Sequence, residues 1–132
     1  MKRCEKTYVT DEISVINVKH IVQNHVKFLG FNLISQTKII TATSELTRNI
    51  ERYAKKGVVT IEHIEKIGRK GLKLTFEDCG PGIPDIEKVM TDGYSTSGGM
   101  GLGLPGSKRL MDEFEISSNL GQGTKITIVK WV

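Results

Sequence analysis

Leu72, Leu74 and Phe76 alternate with Lys73, Thr75 and Glu77, and the apolar face they define runs straight into Asp78-Cys79-Gly80-Pro81-Gly82. A period of two is a strand signature, so one face of this segment belongs to a core and Asp78 lies in phase with it. An unpaired carboxylate on a buried face is costly. The fold must therefore give Asp78 a dedicated donor, and the Gly-Pro-Gly that follows makes a sharp turn where another molecule can approach the backbone. An acid held beside a glycine turn suits a donor-bearing ring such as adenine. Read as an ordinary acidic turn, or with the strand slipped by one residue, the same run would put Asp78 in water.

The other elements follow from periodicity and punctuation. Residues 3–9 read as a strand. Thr10 or Asp11 caps a helix through about Leu29, with Ile13, Ile16, Val18, Ile21, Val22, Val26 and Leu29 as its apolar stripes and Gly30 closing it. A second helix is expected from about Leu33 to Lys55, ended by Gly57. Strands at about 58–66 and 72–78 are joined by Gly68-Arg69-Lys70-Gly71, which reads as a hairpin turn. The glycines then concentrate between Gly80 and Gly106, along with all three prolines. A short helix is expected from Pro84 to about Asp92, a mobile loop over Gly93 to Gly103, a helix from about Pro105 to Phe114, and strands at 115–119 and 124–131 around a Gly121-Gln122-Gly123 turn. Helices first, then a mostly antiparallel sheet interrupted by a glycine-rich excursion, predict an α+β fold: a two-layer α/β sandwich.

Composition narrows the function classes. The 132 residues, 38% hydrophobic and 26% charged, suit one soluble globular domain spanning 1–132. No apolar run approaches membrane-spanning length, and Met1-Lys2-Arg3-Cys4-Glu5 leads into no signal-peptide hydrophobic region, so a cytoplasmic location without membrane contact is expected. Cys4 and Cys79 are too isolated for a disulfide framework or a zinc site and read as reduced thiols. The net charge of +4 is scattered, densest at Arg48, Arg52, Lys55 and Lys56, without the aromatic interleaving of single-strand binders. A small anion or an acidic partner satisfies it better than nucleic acid.

Four groups of residues could carry chemistry. Glu45 and Asn49 lie one helical turn apart on one face, with Arg52 and Lys56 continuing the stripe. They offer a carboxylate for proton abstraction and an amide oxygen for a hard cation such as Mg²⁺, although polar pairs at this spacing are more often a solvated face. Asp78 with its glycine turn is the second group. The third is Gly98-Gly99-Met100-Gly101-Leu102-Gly103-Leu104-Pro105-Gly106, whose alternate glycines before a helix expose N–H groups suited to phosphate. It matches a dinucleotide fingerprint literally but follows a Ser/Thr/Gly loop in place of a first strand, which excludes that reading. The fourth is Gly121-Gln122-Gly123-Thr124, whose threonine would stand near Asp78 if their strands are neighbours. There is no Walker-type sequence and no Ser-His-Asp or Cys-His arrangement; His20, His25 and His63 read as structural or surface residues.

Taken together, Glu45-x-x-x-Asn49, Asp78-x-Gly80-x-Gly82, Gly99-x-Gly101-x-Gly103 and Gly121-x-Gly123-Thr124 resemble, in order, the four boxes of the GHKL ATP-binding superfamily, over about residues 40–125. The chain is most similar to its compact class, the anti-sigma-factor serine kinases and the switch kinases of the bacterial stressosome. That resemblance implies a Bergerat-type fold with a lid over about 84–104 and an ATP- and Mg²⁺-dependent protein Ser/Thr kinase. Its ATP-binding set would be Asn49, Arg52, Asp78, Gly80, Gly82, Ile83, Thr96, Gly99, Gly101, Leu102, Gly103 and Thr124, with Asn49 holding Mg²⁺ and Glu45 as general base. The implied partners are STAS-domain substrates and, after release from them, a PP2C-type phosphatase. Ser97 stands where anti-sigma kinases often place an Arg before the lid's Gly-x-Gly. A non-catalytic anti-sigma factor or adaptor is the second reading, and a detached histidine-kinase catalytic domain the third.

Overall fold

A computed structural model describes residues 1–83, 85–90 and 103–132. The elements are β1 (Cys4–Val9), α1 (Glu12–Leu29), α2 (Leu33–Asn49), a π-helical turn (Ile50–Ala54), β2 (Gly57–Lys66), β3 (Arg69–Asp78), α3 (Ile86–Val89), α4 (Leu104–Leu110), β4 (Glu113–Asn119) and β5 (Gly123–Trp131). The strands form one sheet in the order β1-β2-β3-β5-β4, and every pairing among the described residues is antiparallel. The helices pack on one face of it, so the fold is the expected α+β two-layer sandwich.

The helices begin where short polar side chains offer oxygens to unsatisfied amides. Asp11 accepts from the Ser14 amide at 2.8 Å, and Asn32 accepts from the Ser35 amide at 2.8 Å. The α1 stripe Val15, Val18, Val22 and Val26 and the α2 stripe Ile39, Ala42, Leu46 close onto the sheet. The sheet answers with rows of paired side chains. Ile61, Leu74 and Ile128 are mutually opposite across β2, β3 and β5, as are Val59, Phe76 and Ile126, and all six are buried. Each such side chain removed from water is worth about 1.5–3 kcal/mol, enough to hold the register against a one-residue slip.

Tertiary packing moved several boundaries. The hairpin between β2 and β3 is tighter than expected: Lys66 pairs with Arg69, leaving Ile67 and Gly68 as a two-residue turn. Both turn residues have positive φ, 54° at Ile67 and 73° at Gly68, which is the twist-matched arrangement for antiparallel strands. A β-branched residue is strained there, and Ile67 is 97% exposed, so its side chain recovers nothing by packing. Ile67→Asn is expected to stabilise the fold by about 1 kcal/mol and raise Tm by a few degrees; an unchanged or lower Tm in calorimetry would contradict this.

The last helix ends at Leu110, not Phe114, because Phe114 is needed opposite Ile128 in the sheet. Helix α2 does not run regularly to Lys55. It is α-helical to Asn49 and then widens into the π-turn, where the Lys55 amide donates to the Ile50 carbonyl at 2.7 Å. Lys55 ends it at φ 71°. The expected helix over Pro84 to Asp92 is seen only at Ile86–Val89, Pro84 and residues 91–92 lying outside the described residues.

One polar cluster ties α1 to the sheet. His25 is 1% exposed; its Nε2 lies 2.6 Å from Glu5 Oε1 on β1 and its Nδ1 lies 2.6 Å from His63 Nε2 on β2. The carboxylate accepts a hydrogen bond from Nε2–H, so Nδ1 is an acceptor and His63 is the donor to it. Phe28 stacks on His63 with ring centroids 5.9 Å apart. Burial, then electrostatic interaction with His25, Arg3 and the N-terminus, pushes His63 below its ordinary value. An unfolded imidazole titrates near about 6.5, so as pH falls through that value the unfolded chain binds the proton first and native stability drops. The Tm of the protein is therefore expected to fall between about pH 7.5 and 5.5 more steeply than that of His63→Gln; parallel pH profiles would show that His63 does not contribute.

Candidate functional site

Two residues beyond the row of Val59, Phe76 and Ile126, the same sheet face turns polar. Gly57, Asp78, Thr124 and Ser118 lie opposite one another across β2, β3, β5 and β4. Asp78 is half-buried, in phase with Leu72, Leu74 and Phe76 as the alternation requires. Its Oδ1 accepts from the Gly80 amide at 2.9 Å and the Thr124 amide at 3.2 Å. These bonds hold one carboxylate oxygen against the backbone, while Oδ2 has no hydrogen bond from the described residues.

Asp78 and Thr124 form the floor of a cavity of about 350 Å³ between the sheet end, α2 and the π-turn. Its walls are apolar: Leu46, Ile50, Tyr53, Ala54, Phe76, Ile83, Leu104, Leu120 and Ile126, with Pro81 and Gly82 at the turn. Asn49 is a further polar lining side chain, and Tyr53 adds a phenolic hydroxyl. An apolar slot with a few convergent polar atoms is what a flat heterocycle fills. The glycine turn stays open by close packing. A Cβ on Gly80 would strike Ala54, and one on Gly82 would strike the Asn119 carbonyl.

Glu45 stands one turn before Asn49 on α2, its carboxylate packed against Gly103. Gly103 sits just before α4 at φ 69°, and a Cβ there would collide with the Glu45 carboxylate. The backbone conformation demands glycine at this position, and any larger residue would also displace the Glu45 side chain.

The structure brings together Asn49, Asp78, Gly82, Ile83 and Thr124 around the cavity, with Gly80 in the turn and Glu45 and Gly103 in mutual contact. Arg52 does not line this cavity. The π-turn breaks the Glu45–Asn49 stripe, and Arg52 lines a separate depression with Thr10, Asp11, Glu12, Ile13, Glu51 and Lys55. Thr96, Gly99, Gly101 and Leu102, with the Ser95-Thr96-Ser97 run and most of the expected lid, lie outside the described residues.

Sequence reading missed Ser118. Its Oγ accepts from the Ile83 amide at 2.7 Å, donates to the Gly123 carbonyl at 3.0 Å and lies 2.8 Å from Thr124 Oγ1. A signal was present: Phe114, Ile116 and Ser118 alternate toward a polar end just as Leu74, Phe76 and Asp78 do. Tyr53, Leu120 and Leu104 as walls were also unforeseen, because they converge from three separate elements.

A two-layer fold with a mostly apolar cavity at the sheet end suits the binding of a small molecule. The profile of the histidine kinase-, DNA gyrase B- and HSP90-like ATPase family matches residues 34–131, and the chain belongs to that family. Among curated proteins it is 52% identical to the serine/threonine-protein kinase RsbT of Bacillus subtilis over 94% of this chain and 93% of that protein. It is 37% identical to the anti-sigma F factor of Thermoanaerobacter sp. over 71% of this chain and 68% of that protein. The catalytic domain of histidine kinase ThkA superposes with a TM-score of 0.55 at 16% identity, covering 96% of this chain and 95% of that one. The last likeness is one of fold. No helix among the described residues is long and apolar enough to cross a membrane.

Proposed function

We propose that the chain is an ATP-dependent protein serine/threonine kinase that acts as a partner switch, phosphorylating STAS-domain proteins and activating a PP2C-type phosphatase when released from them. The observation that carries this reading is the placement of Asp78, held among the described residues through Oδ1, and of Asn49 in the lining of one cavity, with Glu45 one helical turn from Asn49. Near-complete coverage at 52% identity to a serine/threonine-protein kinase supports the enzyme class.

In this reading adenine enters the apolar slot and its amino group donates to Asp78 Oδ2, with Thr124 helping directly or through water. Leu46, Phe76, Ile83 and Ile126 exclude solvent from the ring faces. The triphosphate then runs past Asn49 toward Glu45 and Gly103. Glu45 takes the proton from a substrate Ser or Thr hydroxyl as that oxygen bonds to the γ-phosphorus and the bond to ADP breaks. Phosphoryl transfer depends chiefly on position and charge neutralisation, so this sparse set of groups suffices.

The donor set fits Mg²⁺. Among the described residues no cluster of three or more His, Cys, Asp or Glu exists to cage a metal, whereas a single amide oxygen such as that of Asn49 suits an ion held mainly by phosphates and water. Bound there, Mg²⁺ would neutralise phosphate charge.

The 37% identity to an anti-sigma F factor favours, as a second reading, an adaptor whose ATP only orders the lid. Incubation with labelled ATP and candidate STAS-domain proteins separates the two. Acid-stable label on a partner Ser or Thr supports the kinase; bound ATP with no labelled partner supports the adaptor; acid-labile phosphate on a partner His would overturn both.

A further inference from the structure

We propose that Ser118 is a positioning residue that fixes the Thr124 hydroxyl as a hydrogen-bond acceptor and so tunes the cavity to a 6-aminopurine over a 6-oxopurine. The inference rests on the nucleotide-binding reading above and adds the residue that sets base selectivity.

A serine hydroxyl carries one proton. At Ser118 that proton goes to the Gly123 carbonyl at 3.0 Å, and one lone pair receives the Ile83 amide at 2.7 Å. The 2.8 Å contact with Thr124 Oγ1 must then use the Thr124 proton, donated to the second Ser118 lone pair. Ser118 is saturated by this arrangement. Thr124 is left with lone pairs only on its cavity side.

Asp78 is likewise an acceptor, and its Oδ1 is tied to the Thr124 amide at 3.2 Å. The polar end of the cavity therefore presents two neighbouring side chains that accept and do not donate. An exocyclic amino group satisfies them. A 6-oxo group in the same place would bring lone pairs against lone pairs, and the N1–H that a 6-oxopurine carries beside it satisfies at most one of the two acceptors, so one stays unpaired, which costs more than a missing bond gains.

Without the Ser118 hydroxyl, Thr124 regains a free proton and can turn it toward the ligand. A 6-oxo group then finds a donor. The amino group of adenine loses one acceptor.

The test measures ATP and ITP affinities calorimetrically on the wild-type chain and on Ser118→Ala, with circular dichroism to verify folding. The wild type is expected to bind ATP more tightly than ITP. In Ser118→Ala the ratio of the two affinities is expected to shrink about tenfold, ATP weakening while ITP holds or tightens. Ser118→Cys keeps the volume but bonds weakly, so it should move the ratio in the same direction and serves if the alanine variant does not fold. Equal weakening of both nucleotides, or an unchanged ratio in a folded variant, would overturn the role of Ser118. A wild-type chain that binds neither nucleotide would instead overturn the nucleotide reading itself, and this inference with it.

Discussion

Asp78→Asn is expected to weaken ATP binding by about 100-fold or more, with little change in folding. The two backbone amides of Gly80 and Thr124 donate to Oδ1 at 2.9 and 3.2 Å. An asparagine must keep its carbonyl oxygen on those donors, because the reverse orientation sets N–H against N–H. Its amide nitrogen then occupies the Oδ2 position and meets the adenine amino group donor to donor. The charged bond is lost, about 1.5–3 kcal/mol, and a buried donor is left unpaired, about 1–3 kcal/mol more. Since the Oδ1 contacts survive, Tm should stay within a few degrees of wild type. Titration with ATP by calorimetry reads the affinity, and a variant that still binds within about threefold of wild type would remove Asp78 from the adenine contact.

The second large effect falls on chemistry instead of binding. Glu45→Ala is expected to leave the ATP dissociation constant within about threefold of wild type while slowing transfer to a STAS-domain partner by about 10²–10⁴-fold, the range for loss of a positioned general base. Glu45 is absent from the cavity lining that Leu46 and Asn49 supply, and its carboxylate instead packs against Gly103. Binding should therefore survive its removal, and proton abstraction should not. Single-turnover labelling with saturating ATP isolates the step. Full transfer by Glu45→Ala would place the base elsewhere.

The two variants together separate the leading reading from the adaptor. An adaptor would lose function in Asp78→Asn and be indifferent to Glu45→Ala; a kinase fails in both, for different reasons.

Much of the fold is legible in the order of the residues. The alternation through Leu72, Leu74 and Phe76 placed Asp78 on the core-facing side, and the sheet pairs that strand as the period of two demands. Helix starts at Asp11 and Asn32 lie where short polar side chains accept amide protons. These features are local, set by residues a few positions apart, and so they are visible in one dimension. Arg52 shows the opposite case. Its spacing from Glu45 and Asn49 suits an α-helix, but Arg52 falls within a five-residue π-turn and lines a separate depression. Across the fold Ala54 abuts Gly80 and Ile50 abuts Gly57.

The amino-acid order alone thus determined the element sequence, the phase of Asp78 and the residue types available for binding and proton transfer, because hydrophobic period and capping chemistry act at short range. Only the tertiary structure decided that Thr124 and Ser118 stand beside Asp78 in one polar row, that Arg52 lines a separate depression, and that Glu45 meets Gly103. Each of those outcomes depends on strand register or helix packing between residues far apart in the chain, and register is settled by burial of the whole core at once.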